Sequence, residues 1–252
     1  MIDVELFSEC PLAVVDVETT GLDPEQDRVI EIGVVHMQGG EVQDVYQSLV
    51  NPQRDLPPEV VNITGIQPEQ LTDAPTFDLI AADVARMLEG RAFVAYNLAF
   101  DRAFVKGELE RAGLAFVDTV FLDPLIFVRE LHRNEGSKRL GAVAERLGIP
   151  LDDAHRAAAD AEAAGRVLYA LAEKLPRGLQ DLLLLQSQWE QQQQNEMAGW
   201  RGRRSGGQIG GTVGGDIAAG RGNALGPAYI YGTDTDPVRA MFAHLPDSGS
   251  RR

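Results

Sequence analysis

Apolar positions recur along this chain in two different rhythms, and the changes of rhythm mark its elements. Residues 12–17 (LAVVDV), 28–37 (RVIEIGVVHM) and 43–50 (QDVYQSLV) are short apolar runs rich in β-branched residues, bounded by Gly, Asp or Asn. They read as three consecutive strands. From 76 to 88 the period lengthens, with Phe77, Ile80, Ala81, Val84 and Leu88 at helical spacing between Pro75 and Gly90. A fourth strand is expected at 91–96 (RAFVAY), followed by a helix over 98–112 that ends at Gly113. A short fifth strand near 115–119 (AFVDT) and helices near 124–132, 139–147 and 156–174 complete the pattern. Three strands in succession, then strands separated by helices, describe an α/β domain: a mixed five-stranded sheet flanked by helices.

After Pro176 the pattern weakens. Residues 177–198 begin apolar and become a glutamine run, which predicts a helical extension, while 199–252 are rich in Gly, Arg and Ser with little periodic apolar character. The second stretch is expected to be a disordered tail, because it has few large apolar groups to offset its ordering entropy. The expected organisation is a domain over 1–176, an extension over 177–198 and a tail over 199–252.

Composition narrows what such a domain can be. A chain that is 44% hydrophobic and 24% charged is ordinary for a globular protein. No apolar run approaches a membrane span, and the acids at Asp3 and Glu5 stand where a secretory signal carries bases, so a cytoplasmic protein is expected. Cys10 is the single cysteine, which excludes an internal disulfide or a cysteine-based zinc site. A net charge of −15 argues against gripping duplex DNA by a broad basic face. Carboxylates that gather divalent cations could still engage a phosphodiester through those ions.

Three segments carry candidate chemistry. In Asp16-Val17-Glu18, at the end of the first strand, the i and i+2 side chains share one face, so two carboxylates stand side by side while Val15 and Val17 face the opposite way. Such a pair repels itself unless a cation lies between, and a hard ion such as Mg²⁺ or Mn²⁺ suits it. Asn97-Leu98-Ala99-Phe100-Asp101 opens a helix, with Asn97 as an expected N-cap and Asp101 in a first turn favoured by the helix dipole. His155 and Asp160 open the last long helix of the domain, five residues apart. That spacing turns the two side chains about 140° from each other, so they suit one reaction centre approached from two sides better than one shared ion. A histidine titrating near neutrality can take a proton from water while a nearby Asp holds a metal. Each segment alone has an ordinary structural reading as a strand end, a helix cap or a solvated helix start.

In this order, D-x-E-T-T-G, N-x-x-F-D and H-x-A-x-x-D-A, the segments resemble the DnaQ-like (DEDDh) 3′→5′ exonucleases, a family that includes the epsilon proofreading subunit of the bacterial replicative polymerase. The resemblance covers about residues 10–175. It implies a ribonuclease-H-like fold and two-metal phosphodiester hydrolysis in which Asp16, Glu18 and Asp160 hold one ion. Asp16 would bridge to the second ion, Asp101 would hold that ion through water, and His155 would deprotonate the attacking water. It also implies a site for the terminal nucleotide. There Glu59 and Thr64 would face the 3′ end, Ile66 would pack on the base and Thr19 would offer its amide to the 3′ hydroxyl. Asn97, with Asp16, Glu18 and Asp160, would complete the wall.

The implied substrate is a single-stranded or frayed 3′ end of DNA, cleaved to nucleoside 5′-monophosphates in proofreading or repair. An exoribonuclease, or a silent nucleic-acid-binding module, would share much of the same pattern. Thr64 and Tyr96 depart from the family, since some relatives carry His at each. Arg129, Arg133, Lys138 and Arg139 form the densest basic stretch of the acidic region, readable as a phosphate guide or a solvated helix face. His36, His132 and His244 lie outside the pattern and are expected to be structural or solvated. The tail, with Arg201, Arg203, Arg204 and Arg221 and the segment 238–242, could recruit a replication or repair protein.

Overall fold

The computed structural model describes residues 2, 4–116, 118–151 and 156–205. Three strands, β1 (Leu12–Thr19), β2 (Val29–Gln38) and β3 (Glu41–Leu49), form an antiparallel meander. The two-residue turn between β2 and β3 needs positive φ at both positions, and Gly39 and Gly40 supply it at 61° and 89°. Strand β4 (Ala92–Val94) pairs in parallel with β1, and β5 (Phe121–Leu122) in parallel with β4, giving the order β3-β2-β1-β4-β5.

Both faces of the sheet are apolar, so both must be covered. Ala13, Val15, Val17, Ile32, Val34 and Phe93 pack with α3 (Phe77–Leu88) and α4 (Leu98–Arg111). On the other face Leu12, Val14, Val35, Met37 and Leu122 pack with α5 (Pro124–Leu131), α6 (Leu140–Leu147) and α7 (Ala157–Leu171). Two short helices that each open on a proline, α1 (Pro58–Thr64) and α2 (Pro68–Thr72), lie over Ile30.

The fifth strand corrects the expectation of 115–119. Its paired residues are Phe121 and Leu122, opposite Phe93 and Val94. The apolar run continues past Thr119, and the sheet takes its later part because Leu122 buries completely while the Asp118 side chain stays 89% exposed. A strand over 115–119 would have carried the Asp118 charge into the sheet. Asn97 corrects a second expectation. It occupies the N-cap of α4 with φ 75°, but its side chain makes no capping bond. The Asp123 carboxylate accepts the Asn97 and Leu98 amides instead, at 3.1 and 3.2 Å.

Helix α8 (Leu179–Ser205) follows a 3-10 turn at Ala172–Lys174 and lies along α5. Glutamines bind it there. Gln193 donates to the Ile126 carbonyl and to Glu130, at 3.0 and 2.8 Å, while Gln186 brackets the edge strand β5. At the opposite edge β3 presents Glu41, Gln43, Asp44 and Gln47 to solvent. No described helix is long and apolar enough to cross a membrane. The tail is expected over 199–252, but α8 carries its first residues to Ser205; the rest lies outside the described residues.

Candidate active site

Strand alternation builds the first half of the site. Leu12, Val14, Asp16 and Glu18 share the face of β1 that α7 covers, so two carboxylates continue a line of core side chains. The register sets Asp16 beside Gly33 and Glu18 beside Glu31. Helix α7 crosses this end of the sheet, and its first turn brings in Asp160. Ligand oxygens of Asp16, Glu18 and Asp160 all lie within 4.8 Å of one another.

Asp101 arrives from the other side. Strand β4 stops at Val94, level with Val14, so the later amides of β1 have no strand partner on that side. The buried Asp101 carboxylate accepts the Val17 amide at 3.0 Å. Four of the five matched positions thus meet at the carboxyl end of β1, where the strand order reverses between β1 and β4, the usual place for a site in an open α/β sheet. The fifth, His155, lies outside the described residues and immediately precedes Arg156.

Crowding shows in the acidity of Asp16. Its carboxyl is held well above the usual range, first by burial and then by the charges of Asp101, Asp160, Glu18 and Glu31. A metal-free cluster of this kind opposes its own ionisation. An oxygen donor set with that much gathered negative charge fits a hard divalent cation, with Asp16, Glu18 and Asp160 as the group able to hold it.

Thr19 is buried, its hydroxyl donating to the Gly21 carbonyl at 2.6 Å. Glu59 lies partly exposed on α1. Thr64 is buried, donating to the Val60 carbonyl at 2.9 Å and accepting the Ile66 amide at 3.1 Å. Ile66 is 1% exposed and packs with Ile30, Val60 and Leu71.

The basic stretch is partly committed to structure. Arg133 pairs with Glu196 at 2.7 Å, and the Lys138 ammonium donates to the His132, Glu135 and Gly136 carbonyls. His36 is buried against the Met87 carbonyl at 2.7 Å, and burial is the main cause of its lowered pKa. The buried His132 pairs with Glu135 at 2.7 Å, whereas His244 lies outside the described residues.

Three supporting residues escaped the sequence reading. Asp123 caps α5 by accepting the Leu125 amide at 2.9 Å, and its place before Pro124 was the available signal. Glu31 interrupts the apolar run of β2 yet is fully buried, which a lone charge in such a run could have announced. Gln186 sits among many glutamines and carried no signal.

A carboxylate cluster able to hold a metal ion thus sits at the carboxyl end of β1, on a five-stranded mixed sheet of the ribonuclease-H-like fold covered on both faces. The family model RNase T, described as an exonuclease, matches residues 13–168, and the chain belongs to that family of hydrolases. Over 163 residues the chain is 34% identical to the 3′-5′ exonuclease DinG of Bacillus subtilis (strain 168), covering 64% of this chain and 18% of that one. It is 36% identical to the PolC-type DNA polymerase III of Bacillus cereus, covering 65% and 11%. The chain thus spans less than a fifth of the length of these curated relatives. The exonuclease family match is in keeping with the motif resemblance. Zinc-bound E. coli exonuclease I with single-stranded DNA shares the fold at a TM-score of 0.61 and 22% identity, covering 67% of this chain and 42% of that chain. The same enzyme with a dT13 oligonucleotide gives 0.59 and 22%, covering 66% and 41%.

Proposed function

We propose that this chain is a 3′→5′ exonuclease acting on single-stranded or frayed DNA ends in proofreading or repair, releasing nucleoside 5′-monophosphates. The observation that carries this reading is the convergence of Asp16, Glu18 and Asp160, with ligand oxygens within 4.8 Å, beside a strand amide held by Asp101. Asp16, Glu18 and Asp160 would hold one divalent cation, and Asp16 with Asp101 would hold a second, either Mg²⁺ or Mn²⁺. Such ions would supply acidified water and offset charge on the departing oxygen. His155 takes the proton of the attacking water. The Thr19 amide meets the 3′ hydroxyl, while Glu59, Thr64 and Asn97 line the terminal nucleotide with Ile66 behind them.

DNA is favoured over RNA by the name of the PolC-type relative and by the single-stranded DNA bound to the exonuclease I neighbours. The net charge of −15 favours an end that is already unpaired, because few basic groups are present to offset the loss of base stacking. Catalysis belongs to residues 1–176, with 177–198 as an extension docked on it and 199–252 as a tail that recruits a replication or repair protein. The location proposed is the cytoplasm.

The test is one gel. Matched 3′-labelled and 5′-labelled DNA and RNA strands are incubated with the protein and Mg²⁺, Mn²⁺ or EDTA. Stepwise shortening of 5′-labelled DNA from its 3′ end, abolished by EDTA, is expected. Faster trimming of RNA would make the chain an exoribonuclease, and binding without cleavage would make it a silent module.

A further inference from the structure

Glu31 has no part in the motifs, yet it joins three elements of the site. It is 0% exposed on β2, directly opposite Glu18 in the strand register. One carboxylate oxygen accepts the Arg156 guanidinium at 2.7 Å and the Gln47 side-chain amide at 2.6 Å. The other accepts the backbone amide of Ala157, the first residue of α7, at 3.3 Å. A carboxylate at that point satisfies an amide with no partner inside the helix and sits at the positive end of the helix dipole.

Gly33, two residues along the same face, completes the seat. A Cβ there would stand 2.3 Å from the Ala158 nitrogen and 2.4 Å from the Ala157 carbonyl carbon, so only glycine lets α7 approach this closely. Gly33 itself is the register partner of Asp16. The seat therefore fixes how far the first turn of α7, with Asp160 on it, stands from Asp16 and Glu18 on the neighbouring strand.

We infer that Glu31, acting with Arg156, is a positioning residue: it clamps the start of α7 to the sheet and so sets the placement of Asp160. The inference rests on the exonuclease reading above. The Glu31–Arg156 pair also explains why a charge persists in a strand that is otherwise apolar, since an unpaired buried carboxylate next to Glu18 would be strongly disfavoured.

The test uses the full chain with Glu31→Gln, Arg156→Gln, Arg156→Lys and the double variant Glu31→Gln/Arg156→Gln, with Asp16→Asn and Asp160→Asn as references. Glutamine at 31 keeps the volume but cannot serve all three donors as a carboxylate does. The expected result is a fall in kcat of about 10²-fold for Glu31→Gln, the scale on which small misplacements act, with KM and the pH profile little changed. Arg156→Gln should match it, the double variant should be no worse than either, and Arg156→Lys should recover part of the rate. Mn²⁺ affinity should fall far less than in Asp160→Asn.

Wild-type kcat in Glu31→Gln and Arg156→Gln, with Asp16→Asn inactive, would overturn the inference and leave the exonuclease reading standing. Loss of Mn²⁺ affinity equal to that of Asp160→Asn would overturn it by making Glu31 a ligand. An active Asp16→Asn would instead overturn the placing of the reaction at this carboxylate cluster and, with it, this inference. Should Glu31→Gln fail to fold, the Arg156 pair, on a side chain 40% exposed, decides alone.

Discussion

Gln186 and Asp123 share one hydrogen bond that ties α8 to the residue whose carboxylate holds the start of α4, the helix carrying Asp101. The Asp123 amide donates to the Gln186 carbonyl oxygen at 2.8 Å, and the Gln186 amide donates in turn to the Phe121 carbonyl at 3.1 Å. Since the Asp123 carboxylate accepts the Asn97 and Leu98 amides, a residue beyond the family match at 13–168 supports the front of α4.

Gln186→Ala should therefore destabilise the protein by about 2 kcal/mol or more, because it strands a buried amide and a carbonyl at once. Urea melts compared at constant slope measure this. A loss below about 0.5 kcal/mol, ordinary for a surface change, would exclude the bracket as a structural tie.

Asp16→Asn should abolish hydrolysis and raise the stability of the metal-free protein. The folded state holds the Asp16 proton more tightly than the unfolded chain, whose carboxyl has the ordinary value of 3.8. Its contribution is thus greatest below that pH and falls as pH rises through the interval up to the folded value. The variant should lack this fall and should also lose stabilisation by Mn²⁺. Thermal melts across pH, with and without the ion, check both; identical pH profiles for the two proteins would contradict the crowding at Asp16.

Asp123 makes a second, separable pH prediction. Burial raises its carboxyl to about 6, against the pull of the amides it accepts and of Arg129. Its contribution to stability is fully present below 3.8 and declines by about 3 kcal/mol as pH rises to about 6. The difference in unfolding free energy between wild type and Asp123→Asn, followed from pH 4 to 7, should trace that decline. A flat difference would show that Asp123 is not held in this way.

His155→Ala should lose about 10²–10⁴ in rate while still binding Mn²⁺, as removal of a general base does. Calorimetric titration with Mn²⁺ beside the rate assay separates the roles. A parallel loss of affinity would make His155 a ligand.

Much of this arrangement was legible in the chain. β1, β2 and β3 announce themselves because each is an apolar run closed by turn residues, and Asp16 and Glu18 stand out because charges end such a run. Asp101 was legible as a first-turn acid, but its bond to the Val17 amide depends on where β4 stops, and a three-residue strand leaves no periodic trace of its end. The slide of β5 from 115–119 to 121–122 has a related cause: a two-residue strand is chosen by what β4 and α8 can bury around it. Glu31, Asp123 and Gln186 act across separations of 126, 26 and 63 residues, and no local rule ties such partners together.

The two margins of the sheet are finished differently, and this bears on how the protein behaves at high concentration. Along β3 the outer row is left uncovered but carries Glu41 and Asp44, so a second molecule adding a strand there would meet like charges. Along β5 repulsion is replaced by a lid, since the backbone groups of Phe121 and Asp123 are already taken by Gln186. A fragment trimmed to the family-matched stretch would uncover that margin, and self-association through β5, rather than loss of the carboxylate cluster, is the failure to expect from such a trim.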